Sequence, residues 1–311
     1  MTQARILPYD RTAIAEAARL IAQGKPVAIP TETVYGLAAD ATRGDAVAAI
    51  YAAKGRPSFN PLIVHVPDLA TAEAIANLPD AALRLTQAFW PGPLTLIAPL
   101  RPGAPIAPLA TAGLPTVALR APAHPAMRDL LQASGRPLAA PSANASGTIS
   151  PTRAEHVLRS LGTEIELIVD AGRTAVGLES TIVAVEDAGF RILRPGPITA
   201  EQLSEACDLP LLGGGSGKIE APGQLAQHYA PAKPVRLNAL DAHEGEWLIG
   251  FGPVAGDVSL SRSGDLLEAA ARLFDLLHQA DSGMAMRIAV APVPDEGLGA
   301  AINDRLRRAA A

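Results

Sequence analysis

The chain has 311 residues, with 26 Lys+Arg against 31 Asp+Glu and a formal net charge of −5. That length accommodates about two domains of roughly 150 residues each, with a core large enough to need no covalent staple. One cysteine, Cys207, excludes a disulfide framework and a multi-cysteine metal site, and the negative balance argues against a surface that grips nucleic acid over its whole extent.

The first helix reads clearly: Asp10 caps it, Ile14, Ala17, Ala18 and Ile21 share one face, and Gly24 closes it. A buried strand at Val27–Ile29 leads into the run Pro30-Thr31-Glu-Thr-Val-Tyr-Gly-Leu37. Asp45–Lys54 is helical with Gly55 as its stop, and Leu62–Val66 is a strand. The pattern predicts helices over 69–77 and 80–89, a strand at Leu94–Ala98, strands at Val117–Leu119 and Leu138–Ala140, and a helix near 125–133 between them. Thr152-Arg-Ala-Glu155 reads as a capping box for a helix ended by Gly162, and Thr199-Ala-Glu-Gln202 as another. Ile168–Val169, Thr181–Val185 and Ile192–Leu193 are strands.

At Gly213-Gly-Gly-Ser-Gly217 the pattern breaks into linker composition. The run before Lys218 imitates a phosphate-binding loop but fails it, because Leu212 stands at the first glycine position and Ile219 replaces the magnesium-holding hydroxyl. A smaller α/β unit follows. Trp247–Phe251 and Ile288–Val290 are its strands, Leu266, Leu267, Ala270, Leu273, Phe274 and Leu277 form a helical stripe, and a basic helix with Arg305, Arg307 and Arg308 ends the chain. The expected division is 1–212, a linker over 213–232, and 233–311 as a small Rossmann-like α/β domain. The 28 prolines punctuate many short elements, and 4% aromatic residues leave few stacking platforms for single-stranded RNA. No apolar run reaches the ~18–20 residues of a spanning helix, and Met1–Arg5 lacks a signal-peptide pattern, so a cytoplasmic protein without membrane contact is the expectation.

The six histidines form no ligand pair at metal-binding spacing, and no Gly-x-Ser-x-Gly elbow is present. What remains is a set of cations and hydroxyls at element ends. Lys54-Gly-Arg56 suits a polyphosphate clamp or a solvated helix terminus equally well. Arg120 ends a strand, as a ligand for an anion or as an exposed rim charge. Pro141-Ser142-Ala-Asn144-Ala-Ser-Gly147 offers small residues and neutral donors for phosphate or ribose, and also reads as a turn. Glu179-Ser180-Thr181 opens a strand and Arg194-Pro-Gly196 ends one.

Taken together and in this order, these motifs resemble those of YrdC-type proteins, densely over residues 5–207. With Pro222-Gly223 and His228-Tyr229-Ala-Pro231 added, the whole chain resembles the long, two-domain form of the L-threonylcarbamoyladenylate synthases. The resemblance implies an α/β fold with a twisted sheet around a deep, positively lined cavity. It implies condensation of L-threonine, bicarbonate and ATP into threonylcarbamoyl-AMP and pyrophosphate, for N6-threonylcarbamoylation (t6A) of tRNA by a downstream threonylcarbamoyl-transferase machinery. Carried over residue by residue, ATP contacts fall on Lys54, Arg56, Ser58, Thr116, Ser142, Asn144, Ser150, Arg194 and Tyr229, with Lys54, Arg56 and Arg194 as the catalytic cations. Threonine contacts fall on Thr31, His65, Arg120, Ala140 (through its backbone) and Ser180. Magnesium is expected to arrive with ATP, with no protein-held metal, and tRNA contact to be weak or indirect. Residues 218–231, tethered by glycines, are expected to act as a lid. Three other readings stay open at this stage: an RNA-binding module, a carbamoyl-transfer segment, and a non-catalytic regulator.

Overall fold

The computed structural model describes residues 3–213, 220–223 and 228–311. Of the expected linker, 214–219 (with Lys218) and 224–227 therefore lie outside the described residues. Among the described residues, ten strands precede residue 213: β1 (Arg5–Pro8), β2 (Val27–Pro30), β3 (Tyr35–Asp40), β4 (Ile63–His65), β5 (Leu94–Pro99), β6 (Thr116–Arg120), β7 (Leu138–Ala139), β8 (Leu167–Asp170), β9 (Thr181–Glu186) and β10 (Gly189–Arg194). They form one mixed sheet in the order β1-β8-β2-β3-β7-β4-β6-β5-β9-β10. Its helices are α1 (Arg11–Ala22), α2 (Gly44–Lys54), α3 (Leu69–Ile75), α4 (Asp80–Phe89), α5 (Pro125–Ser134), α6 (Ala154–Leu161) and α7 (Ala200–Cys207).

Helices cover both faces of the sheet's first half. Asp10 caps α1 by accepting from the Ala13 N–H at 2.7 Å, and Ala13, Ile14, Ala17, Leu20 and Ile21 bury against Met127, Leu130 and Leu131 of α5 and one face of β2 and β8. On the other face Val47 and Ile50 of α2 and Val157 of α6 meet Leu37 and Ala39. Each fully buried Leu or Ile contributes about 1.5–3 kcal/mol of transfer free energy, so these layers fix the sheet. Covered on both sides, β3 shows no polar–apolar alternation, and its Gly and Ala have low strand propensity, which is why the sequence pattern does not reveal it. Strand β1 is likewise unpredicted; it gains its place by pairing parallel to β8.

Two local expectations are corrected. Thr199 and Gln202 do form a capping box, but Thr152 does not. The cap of α6 is Arg153, and the Thr152 N–H donates instead to the His156 ring nitrogen at 3.3 Å. Leu267 leaves the stripe of its helix and is exposed, because it sits one position past Leu266 and about 100° around the helix.

After the linker come β11 (Val235–Arg236), β12 (Glu246–Gly250), β13 (Val258–Ser259), β14 (Arg287–Val290), α8 (Leu266–Ser282) and α9 (Leu298–Ala309). The strands form an all-parallel sheet in the order β11-β14-β12-β13. This unit is docked through a shared core, in which Val34, Ile149 and Leu178 lie among Leu273, Phe274 and Ile302. Gly177, at φ +75°, brings a loop directly onto α8: a Cβ there would meet the Ala270 carbonyl oxygen at 2.5 Å and the Ala271 Cα at 2.6 Å. Arg153 pairs with Asp275 at 2.7 Å, the His156 and His278 rings stack at 3.8 Å, and His278 Nε2 lies 3.1 Å from the Ser150 carbonyl oxygen.

Gly177→Ala is expected to destabilise the chain by about 1–3 kcal/mol through the clash with α8, read as a lower urea midpoint; an unchanged midpoint contradicts the close docking. The stacked histidines give a pH signature. Burial, reinforced by the neighbouring His278, pushes His156 down to about 3, and burial pushes His278 down to about 4. Both are neutral in the fold, whereas in the unfolded chain they titrate near ~6.5. Their contribution is therefore complete above that pH and is lost as pH falls toward 4, because the unfolded state then binds more protons. Urea midpoints at pH 7.5 and 5 should differ in that direction, and His278→Gln should narrow the difference; equal midpoints in the native chain contradict the assignment.

Candidate active site

Strand register brings the first pair of site residues together. β4 and β6 run parallel with His65 opposite Arg120, so the two side chains leave the sheet side by side at the strands' ends. His65 also lies opposite Leu138 of β7, after which the chain turns through Ala140, Pro141 and Ser142. The turn after β2 is shaped by the Thr31 hydroxyl, which donates to the Val34 carbonyl at 2.8 Å and meets the Thr33 hydroxyl at 2.7 Å. Arg194 arrives from the end of β10 and Arg56 from the turn after α2. These residues enclose a cavity of about 50 Å³, closed by Pro222, Gly223, His228 and Tyr229. That is room for a few waters and far too little for a nucleotide.

The cations of this region are buried and held mainly by backbone. Lys54 Nζ donates to the Ser142 carbonyl at 2.6 Å and the Asn144 carbonyl at 2.5 Å, fixing the shape of the small-residue loop. Arg56 donates to the carbonyls of Asn60 at 3.2 Å and Pro61 at 2.9 Å. Arg194 donates to the Ser180 carbonyl at 2.9 Å and hydroxyl at 3.0 Å. Among the described residues, Arg120 alone of the cavity-lining arginines pairs with a carboxylate, Glu32 at 2.6 Å, and it also donates to Thr33 at 3.0 Å and the Gly92 carbonyl at 3.1 Å.

The titration behaviour follows from this crowding. Burial pushes the Arg56 guanidinium down to about 10, and the charge of Arg194 adds to the effect. Burial lowers Lys54, with Arg56 contributing, and lowers Arg194, with Arg305 and Arg120 contributing. Burial and the Arg120 charge push His65 down to about 3, so its imidazole is neutral. Both His65 ring nitrogens, His228 Nδ1 and the Tyr229 hydroxyl are buried without a partner among the described residues. Buried polar groups are rarely left so, and four such atoms on residues lining one cavity point to a ligand that satisfies them.

Of the residues singled out in the sequence, Thr31, Arg56, His65, Arg120, Ala140, Ser142, Arg194 and Tyr229 line the cavity. Lys54, Asn144, Ser150 and Ser180 stand one layer behind it. The Asn144 amide spans to the Thr148 carbonyl at 2.9 Å, the Ser150 hydroxyl donates to Glu179, and the Ser180 hydroxyl meets that of Thr95 at 2.7 Å. Ser58 is exposed and Thr116 half-buried, and neither lines the cavity. Sequence reasoning missed Glu32 and Glu179, although both lie inside motifs it quoted; several buried cations at one place call for some counter-charge. It also read Arg305 as part of a basic terminus, whereas the side chain is 0% exposed and pairs with Glu179 at 2.9 Å. Its spacing with Ala301, Ile302, Leu306 and Ala309 on one helical face carried the signal. Among the described residues no three His, Cys, Asp or Glu side chains come together as a metal site, and no helix is long and apolar enough to cross a membrane.

Residues 19–196 match the Sua5–YciO–YrdC family model, described as telomere recombination, and residues 198–311 match the model described as threonylcarbamoyl-AMP synthase, C-terminal domain. The chain is 43% identical to the threonylcarbamoyl-AMP synthase of Bacillus subtilis, over 96% of its own length and 92% of that protein's. It is 40% identical to the enzyme of that name from Pyrococcus abyssi, over 94% of this chain and 92% of the relative. A crystal structure of the P. abyssi protein complexed with L-threonine superposes with a TM-score of 0.89, covering 99% of this chain and 98% of the other at 35% identity. The chain belongs to the threonylcarbamoyl-AMP synthase family, in its long two-domain form.

Proposed function

We propose that the cavity is where L-threonine, bicarbonate and ATP become threonylcarbamoyl-AMP and pyrophosphate. The observation that carries this reading is the pair Arg56 and Arg194, whose guanidiniums line one buried cavity without a carboxylate partner among the described residues. Buried positive charge left in that state is stabilised by an anionic ligand, and a triphosphate supplies one. On this reading Arg56, Arg194 and Ser142 meet the nucleotide's phosphates. Lys54 acts with them by shaping the loop that carries Ser142 and Asn144, and Ser150 stands behind the same wall. Ser58 and Thr116 reach the nucleotide only if their segments move with it. Thr31, His65, Arg120, Ser180 and the Ala140 backbone form the threonine end.

The chemistry fits these groups. The amine of threonine attacks bicarbonate-derived carbon dioxide to give a carbamate, and a carbamate oxygen attacks the α-phosphorus of ATP as pyrophosphate leaves. Positioning and charge neutralisation, not a covalent nucleophile, lower such a barrier. Magnesium enters as part of the ATP substrate. A neutral His65, with its pKa near 3, serves as a hydrogen-bonding partner for threonine, since so weak a base takes up no proton at neutral pH. Free carbamates lose carbon dioxide in water, so closure matters. Pro222, Gly223, His228 and Tyr229 form the cover, which moves outward to make room for ATP and shields the reactants from that wider position. We assign 1–212 to the catalytic domain, 213–232 to the linker with its lid, and 233–311 to the accessory domain. The product passes in the cytoplasm to a threonylcarbamoyl-transferase machinery that modifies tRNA, with tRNA contact to this chain weak or indirect.

Pyrophosphate release is expected to require ATP, threonine and bicarbonate together; release that ignores threonine or bicarbonate removes this reading. Arg56→Ala should lower kcat/KM for ATP by on the order of 10²–10³ with the circular dichroism spectrum retained, and native-like turnover would take Arg56 out of the site. His65→Ala should raise the KM for threonine and leave that for ATP unchanged; the reverse pattern contradicts the assignment of the two ends.

A further inference from the structure

Arg305 reaches the site from the other domain. It sits on the apolar face of α9, fully buried, with Nε donating to Glu179 Oε2 at 2.9 Å and Nη1 to Asp304 Oδ2 at 2.6 Å. Glu179 is itself a wall residue of the cavity, and its other carboxylate oxygen accepts from the Ser150 hydroxyl. A carboxylate facing a space meant for a triphosphate repels the ligand and competes with it for a cation of the cavity wall. That cation is Arg194, which lines the same cavity and has no carboxylate partner among the described residues. Burial drives Glu179 toward its neutral form, but the charges of Arg305 and then Arg194 outweigh it and keep the group ionised. The closest compensation for that carboxylate, Arg305 at 2.9 Å, comes from α9.

We infer that Arg305 is a positioning residue for ATP binding: it engages Glu179 from the C-terminal domain and so leaves Arg194 available to the triphosphate. The pairing also ties the last helix to the cavity wall. Asp304 steadies the arrangement, holding Arg305 and accepting from Arg308 Nε at 3.0 Å. The inference rests on the reading of the cavity as the ATP site.

The test is calorimetric titration of Mg-ATP and, separately, of threonine into the full chain as native protein, Arg305→Met, Glu179→Gln and the double variant. Arg305→Met is expected to weaken ATP by about fivefold or more while shifting threonine less than that, because the unpaired carboxylate acts on the phosphates. Neutralising Glu179 should abolish the effect, so that the double variant binds ATP within about fivefold of Glu179→Gln. A double variant weaker than Glu179→Gln by more than that margin overturns the inference, as does equal weakening of both ligands by Arg305→Met, which marks a merely structural role. If Arg305→Met does not fold, the comparison between Glu179→Gln and the double variant still decides. Failure of the native chain to bind ATP overturns the ATP-site reading instead.

Discussion

Positive charge buried around one small cavity is the constraint on which the rest of the structure depends. Lys54, Arg56, Arg120 and Arg194 are all buried, and among the described residues only Arg120 of the four pairs with a carboxylate. A guanidinium or ammonium taken out of water costs several kcal/mol unless its donors are satisfied. Backbone carbonyls of Asn60, Pro61, Ser142, Asn144 and Ser180 do most of that work here. Dipoles hold a cation in place without cancelling its charge, so Arg56 and Arg194 keep a positive field that, on the proposed reading, a triphosphate neutralises. A site built from ion pairs would have had to break them each time a phosphate entered.

The fold follows from placing those carbonyls. Arg56 and its acceptors lie on one turn after α2, and Ser180 and Arg194 frame the β9–β10 hairpin. The mixed sheet then juxtaposes the ends: parallel β4 and β6 release His65 and Arg120 together, and antiparallel β7 returns the small-residue loop beside them. The C-terminal unit completes the enclosure instead of standing apart. Tyr229 lies between Phe274, at 5.5 Å between ring centroids, and the Arg305 guanidinium, 5.2 Å over its ring. Tyr229 therefore packs on the core of the C-terminal unit while lining the cavity.

Much of this was legible in the sequence. Caps and glycine stops marked α1 and α2, and the ordered motifs located most of the cavity wall, because those motifs are local: each residue sits within a few positions of the turn that aims it. What escaped depended on tertiary context. β3 is buried on both faces and rich in small residues, so it lacks the alternation that announces a strand. The Thr152 box failed because His156, one turn on, took the donor the cap would have used. Glu179 and Arg305 are 126 positions apart and acquire meaning only as a pair. Long charged side chains on an otherwise apolar helical face are the one-dimensional trace of such a pair, and Arg305 carried that trace.

A crystal structure of the chain with L-threonine, magnesium and a non-hydrolysable ATP analogue tests the central claim most directly. The account expects the triphosphate oxygens within hydrogen-bonding distance of Arg56 and Arg194, with threonine beside His65 and Arg120 in the same enclosed space. A triphosphate bound elsewhere, with both guanidiniums still facing only their backbone carbonyls, would contradict it.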